Sequence, residues 1–196
     1  MLFRSPFNLG ALLGDRVRMS KHFNSGKVFI RSMASRGSLG GLCDKILEVT
    51  DVMRQAPFDF VLVETVGVGQ SEVEIAGLAD TTVVVLVPEA GDEVQTMKAG
   101  LMEIADVFVV NKSDRPEADV FIKHLSQMLA PARKNKNDHI PVIKTVASQK
   151  IGIEEVGNFL MSFTADYQNK SRHADLLAEK AFQLIQQKRF PIAAKG

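Results

Sequence analysis

The sequence predicts an α/β fold: a three-layer, doubly wound, mostly parallel sheet with helices at its C-terminal end. Three observations carry that prediction. Short apolar runs alternate with helical patterns along the chain, with Phe58–Glu64, Thr82–Val87, Val107–Val110 and Val142–Ala147 reading as strands. These runs are nearly continuous in apolar residues rather than alternating, as a parallel sheet covered on both faces requires. Polar or glycine-bearing segments follow several of the runs directly, where open α/β sheets place their ligand-binding loops.

Taken in order, a strand near Val28–Arg31 precedes a helix over Leu42–Gln55, in which Leu42, Ile46, Val49 and Met53 recur at helical spacing. The strand Phe58–Glu64 leads to a helix over Glu72–Leu78, and the strand Thr82–Val87 to a helix over Val94–Ile104. Val107–Val110 is followed by a helix over Glu117–Leu129 and then by the strand Val142–Ala147. Beyond it, Val156, Phe159, Leu160, Phe163 and Tyr167 share one helical face, and Leu177, Ala181, Leu184 and Ile185 share another. A break at Lys170-Ser171-Arg172-His173 separates the two. The expected organisation is a sheet domain over 1–153 and a helical extension over 154–196.

Composition narrows the class. A chain of 196 residues that is 45% hydrophobic is within the usual size of one core. With 24 Lys and Arg against 23 Asp and Glu the net charge is +1, so there is no electrostatic case for nucleic acid as a partner. A single cysteine, Cys43, precludes an intrachain disulfide and fits a reducing compartment. The four histidines lie at 22, 124, 139 and 173, with none of the spacing that builds a structural metal site. No apolar run approaches the roughly 20 residues that span a bilayer, so no membrane role is expected.

The chemistry is concentrated at strand ends. Asn111-Lys112-Ser113-Asp114 follows the run Val107–Val110. A carboxylate at Asp114 can accept from both the ring N1–H and the exocyclic amine of guanine, a donor pair that adenine lacks. Asn111 can bond the purine edge, and the Lys112 stem can cover the ring face. The same tetrapeptide also suits an ordinary turn that starts a helix. Upstream, the run ending at Glu64 continues Thr65-Val66-Gly67-Val68-Gly69-Gln70-Ser71. A strand that delivers a carboxylate and then a glycine three residues later has the layout of a nucleotidase Mg²⁺ and γ-phosphate loop. A glycine-rich turn capped by Ser71, with Glu72 and Glu74 in the first turn, is the better account of that segment when it is taken singly. The pairing of the two segments favours nucleotide chemistry.

Longer strings carry a family resemblance. Gly14-Asp15-Arg16-Val17-Arg18-Met19, Phe29-Ile30-Arg31-Ser32-Met33-Ala34, Arg36-Gly37-Ser38-Leu39-Gly40-Gly41-Leu42, Glu64 to Ser71, and Pro88-Glu89-Ala90-Gly91-Asp92 through Lys98 together resemble the MeaB/ArgK family. Its members are G proteins associated with methylmalonyl-CoA mutase. The similarity runs from about Ser5 to about Arg189. It implies a P-loop NTPase fold of the G-domain type, GTP or GDP with Mg²⁺ as cofactors, and the mutase as partner. It further implies homodimerisation through the C-terminal extension and a cytoplasmic or mitochondrial-matrix location. By residue, it implies Asp15 and Glu64 near the metal, and Glu64 and Gly67 at the hydrolysis loop. Asn111, Lys112 and Asp114 would read guanine, with the Val146-Ala147 backbone at the guanine carbonyl. Val146 stands where G proteins usually carry Ser. Asp92 and Lys98 would be charged partners in a switch loop that relays nucleotide state to the mutase.

One departure qualifies this expectation. The family pattern opens with a strand and a G-x-x-x-x-G-K-[ST] P-loop, and the 196 residues contain only Gly26-Lys27, followed by Val28. Backbone N–H groups and the lysine of that loop supply most of the grip on phosphates. The sequence therefore reads as a partial G domain without its first strand and P-loop, with weak nucleotide binding and no hydrolysis alone. On this reading it is a fragment or shortened form of a GTPase that gates cobalamin loading and protection of the mutase. The alternative is a non-hydrolysing interaction module that retains only mutase-facing or dimer-facing surfaces.

Overall fold

The structure is a computed structural model, and it describes residues 2–4, 19–34, 43, 45–65, 72–88, 99–130 and 140–162, with Ala174, Leu177, Ala178, Ala181, Phe182 and Ile185. The chain divides into two compact units, Met1–Leu78 and Ala79–Gly196.

In the first unit, β1 (Leu2–Arg4) and β2 (Ser32–Ala34) form a parallel pair with Leu2 opposite Ser32 and Arg4 opposite Ala34. The expected strand at Val28–Arg31 thus lies four residues too early. Although Val28 and Phe29 are apolar, the Val28 N–H donates to Ser25 O at 3.3 Å in a local turn, so it is not spent on a ladder. Phe29 instead sets its ring against Phe58 at a centroid distance of 6.4 Å.

Helix α1 (Ile46–Gln55) starts four residues later than the apolar stripe suggests. It buries Ile46 and Thr50, one turn apart on the same face, and the Thr50 hydroxyl donates to the carbonyls of Ile46 and Leu47 at 2.9 Å. The helix stops because Ala56 precedes Pro57: the proline ring disfavours α geometry at the residue before it, and Ala56 is extended at φ −83°, ψ 156°. The expected strand Phe58–Glu64 is not one. Only Glu64 forms an isolated bridge, and Phe60 and Leu62 are 60% and 70% exposed. An apolar run becomes a strand only when a neighbouring strand takes up its backbone groups, and here the Phe58 N–H turns back to Ala56 O at 2.8 Å. Helix α2 (Glu72–Leu78) closes the unit, as its sequence predicts.

The second unit holds a parallel three-stranded sheet in the order β3-β4-β5, with β3 at Val83–Leu86, β4 at Val107–Val110 and β5 at Val142–Lys144. Its helices include α3 (Ala99–Ile104), α4 (Ala118–Leu129) and α5 (Ile153–Ser162). All four residues of β4 are buried, which accounts for the unbroken apolar run of the central strand. Helix α4 buries Ala118, Phe121, Leu125 and Leu129, an i, i+3, i+7, i+11 stripe. Phe121, Leu125 and Leu129 join Val84, Ala105, Phe108 and Val110 in one cluster. Large side chains buried this fully contribute about 1.5–3 kcal/mol each. At the start of the sheet, the Thr82 N–H donates to the Asp106 carboxylate at 2.7 Å and the Asp106 N–H returns to Thr82 O at 3.0 Å, which pins β3 to β4.

Element boundaries differ from expectation at their ends. β5 stops at Lys144 rather than Ala147, since Ala147–Gln149 form a 3-10 turn. The first part of the helix expected over Val94–Ile104, and Phe163, Tyr167 and Leu184, lie outside the described residues. Val156, Phe159 and Leu160 are half-buried on α5, whereas Leu177, Phe182 and Ile185 are exposed.

Candidate functional site

The register of the three strands sets Leu86, Val110 and Lys144 at one level, so the residues after them leave the sheet together at its carboxyl end. The Asn111 N–H donates to Leu86 O at 2.8 Å and the Thr145 N–H to Val110 O at 2.9 Å, which carries the ladder one residue further on both loops. At Lys112 the backbone enters the left-handed region with φ 56°. That conformation costs a non-glycine residue about 1–2 kcal/mol and marks a turn imposed by its surroundings. Here the surroundings are the next residue's bonds. Ser113 donates both its N–H and its hydroxyl to Thr145 O, each at 3.0 Å.

Asn111 is fixed from the other side. Its Oδ1 accepts from the Thr145 hydroxyl at 3.3 Å and from the Ala147 N–H at 3.1 Å. With the carbonyl end of the amide held by two protein donors, the NH₂ end is what Asn111 offers a ligand, and a purine N7 or O6 can accept from it. Asp114, in the same turn, is exposed, as is Lys112. Val146 is 6% exposed, so its side chain packs inward while the backbone continues to the exposed Ala147. A shallow depression lined by Pro88, Arg115, Pro116 and Glu117 lies at this end of the sheet.

The structure therefore brings Asn111, Val146 and Ala147 together and sets Lys112 and Asp114 in the adjoining turn. Glu64 belongs to the other compact unit, where it is exposed. Asp15, Gly67, Asp92 and Lys98 lie outside the described residues. Among the described residues no group of three or more His, Cys, Asp or Glu side chains could hold a metal ion. Sequence reasoning missed Ser113 and Thr145, the two residues that join the loops. Their signal is positional: each is a small hydroxyl residue within three positions of a parallel strand's end.

Comparison with known proteins gives the fold and the family. A crystal structure of LAO/AO transport system kinase superposes with a TM-score of 0.57 at 28% identity, covering 82% of this chain and 51% of that one. The fold is that of the P-loop NTPases, of the G-domain type: a parallel sheet with helices. The family profile described as methylmalonyl Co-A mutase-associated GTPase MeaB matches residues 3–190, and the chain belongs to that family. A Pyrococcus horikoshii protein provisionally designated a GTPase is 51% identical over 156 residues, 78% of this chain and 49% of the relative. GTPase ArgK of Escherichia coli is 36% identical over 81% of this chain and 49% of its own length. The mouse methylmalonic aciduria type A homolog, a mitochondrial protein, is 35% identical over 69% of this chain and 30% of its own length. The chain spans about half the length of the first two.

Proposed function

We propose that this chain supplies the base-reading part of a guanine-nucleotide-binding protein whose GTP cycle gates cobalamin loading and protection of methylmalonyl-CoA mutase. The observation that carries the nucleotide reading is the clamp on Asn111 Oδ1 by Thr145 and Ala147. It presents a donor to the purine N7/O6 edge, while Asp114 accepts from N1–H and the exocyclic amine and the Lys112 stem covers the ring. The Ala147 N–H, already donated to Asn111, would be shared with the guanine carbonyl. On this reading Asp15 and Glu64 hold Mg²⁺ or its water, Gly67 meets the γ-phosphate, and Asp92 and Lys98 belong to a switch loop facing the mutase. Bound Mg²⁺ would neutralise charge on the phosphates.

The test is competition against a fluorescent GDP analogue by GDP, XDP and ADP, for the chain and for Asp114→Asn. The substitution puts a donor opposite the xanthine carbonyl, so preference should move from GDP to XDP. Unaltered preference would remove Asp114 from the site. The mouse relative's mitochondrial designation and the family's mutase association support a matrix location in eukaryotes and a cytoplasmic one in bacteria.

A second reading, an interaction module that does not hydrolyse GTP, is favoured by one observation. Ala174, Leu177, Ala178, Ala181, Phe182 and Ile185 are helical, apolar and exposed at spacings of three and four. Such a stripe suits a homodimer contact within the extension over 154–196. GTP turnover dependent on Glu64 would overturn this second reading.

A further inference from the structure

We propose that Gly152 is a specificity-determining positioning residue for the two base-reading loops, an inference that rests on the guanine reading above. Its bare Cα lets the segment after β5 close on Lys144, and that closure sets the Ala147 N–H against Asn111.

The loop leaves β5 at Lys144, makes the 3-10 turn Ala147–Gln149, passes through Lys150 at φ 60° and returns antiparallel to itself. Val146 N–H donates to Ile151 O at 3.0 Å, and Ile151 N–H to Val146 O at 3.2 Å. Gly152, at φ 74°, then lies directly against the strand end. A Cβ there would stand 2.0 Å from Lys144 O, 3.1 Å from Lys144 C and 3.1 Å from Thr145 Cγ2. The first two are backbone atoms, so no flexible side chain can give way. A positive φ also disfavours any L side chain.

What must move is decided by what is held. Lys144 pairs with Val110 in the sheet, and Thr145 is held by its N–H to Val110 O, by both Ser113 bonds at its carbonyl and by its hydroxyl to Asn111. The displacement therefore falls on residues 146–152, which include Ala147. With the Ala147 bond lost, only the Thr145 hydroxyl holds the Asn111 amide, and because a hydroxyl accepts as readily as it donates the amide can rotate, exchanging donor for acceptor at the purine edge. Guanine and adenine would then be told apart less well. Gly157, on α5, is the matched control: a Cβ there meets nothing within 4 Å.

The experiment combines amide exchange by NMR with competition binding of GDP and ADP, on the 196-residue chain, Gly152→Ala and Gly157→Ala. In Gly152→Ala we expect exchange at Ala147 and Ile151 to quicken at least about tenfold while Phe108, bonded to Pro141 O, keeps its protection, as local opening allows. The preference for GDP should fall by about tenfold, the measure of a lost polar discrimination of about 1.4 kcal/mol. Gly157→Ala should match the wild type in both. Unchanged exchange at Ala147, or a loosened loop with GDP preference intact, overturns the proposal. If Phe108 also loses protection, Ser113→Ala carries the test. It deletes one bond on Thr145 O without touching the backbone and should quicken Ala147 exchange about fivefold, whereas no change overturns the coupling. A wild-type chain with no preference for GDP overturns the guanine reading itself, and is told apart because failure of the present inference leaves that preference in place.

Discussion

Thr145 Oγ1 and Asn111 Oδ1 meet at 3.3 Å, 34 positions apart in sequence, and this contact together with the Ala147 N–H holds the carbonyl end of the Asn111 amide inward. Thr145 is itself 1% exposed, so its hydroxyl makes this bond largely out of solvent.

Thr145→Val removes that hydroxyl at nearly constant volume. We expect a stability loss of about 1 kcal/mol in urea unfolding, the usual net worth of one hydrogen bond. The competition assay should show a reduced preference for GDP over ADP. A destabilised variant with full preference would mean that Ala147 alone orients Asn111.

Two carboxylates of similar bond length should behave differently. Asp106 accepts the Thr82 N–H at 2.7 Å in a partly buried place, so Asp106→Ala strands a backbone donor and should cost about 1–3 kcal/mol. Asp119 pairs with Lys144 at 2.6 Å, but the side chains are 84% and 55% exposed, and such pairs are worth about 0–1 kcal/mol. Parallel urea melts of Asp106→Ala and Asp119→Ala read the contrast directly, and equal losses would contradict it.

Leu125 is fully buried in the β3-β4-β5 unit, whereas Val120 on the same helix is 57% exposed. Leu125→Ala should cost about 2–5 kcal/mol through transfer and cavity formation. Val120→Ala should stay within about 0.5 kcal/mol. Thermal melts of the two variants separate them.

How much of this was legible in the sequence follows from where each fact is stored. β3, β4 and β5 were readable because their partners lie in the same parallel sheet and both faces of β4 are covered, which forces a continuous apolar run. Phe58–Glu64 has the same composition and is not a strand, because pairing is a property of a neighbour and not of the run itself. Asn111 and Ala147 stand out as residue types at strand ends. Ser113 and Thr145 do not, since their role exists only once β4 and β5 lie side by side. Gly152 was visible merely as a glycine; the backbone carbonyl that excludes a Cβ there is eight residues upstream.

Exposed apolar surface should make the chain self-associate. Phe60, Leu62 and Val85 are 60%, 70% and 61% exposed, alongside Leu177, Phe182 and Ile185 among the helical C-terminal positions. Exposed large apolar side chains favour association when they lie together. Light scattering on fresh protein should show species larger than a monomer, reduced by the triple change Leu177→Lys, Phe182→Glu and Ile185→Lys. A monodisperse monomer would contradict the expectation.

The base-reading claim is tested most directly by an NMR titration of the isotopically labelled chain with GDP and, separately, ADP. The account predicts saturable shifts at the amides of Asn111, Ala147 and Asp114 with GDP, with Kd on the order of 1 mM because binding is expected to be weak, and no saturable shifts there with ADP. Identical responses to the two nucleotides, or GDP-induced shifts that avoid these three residues, would contradict it.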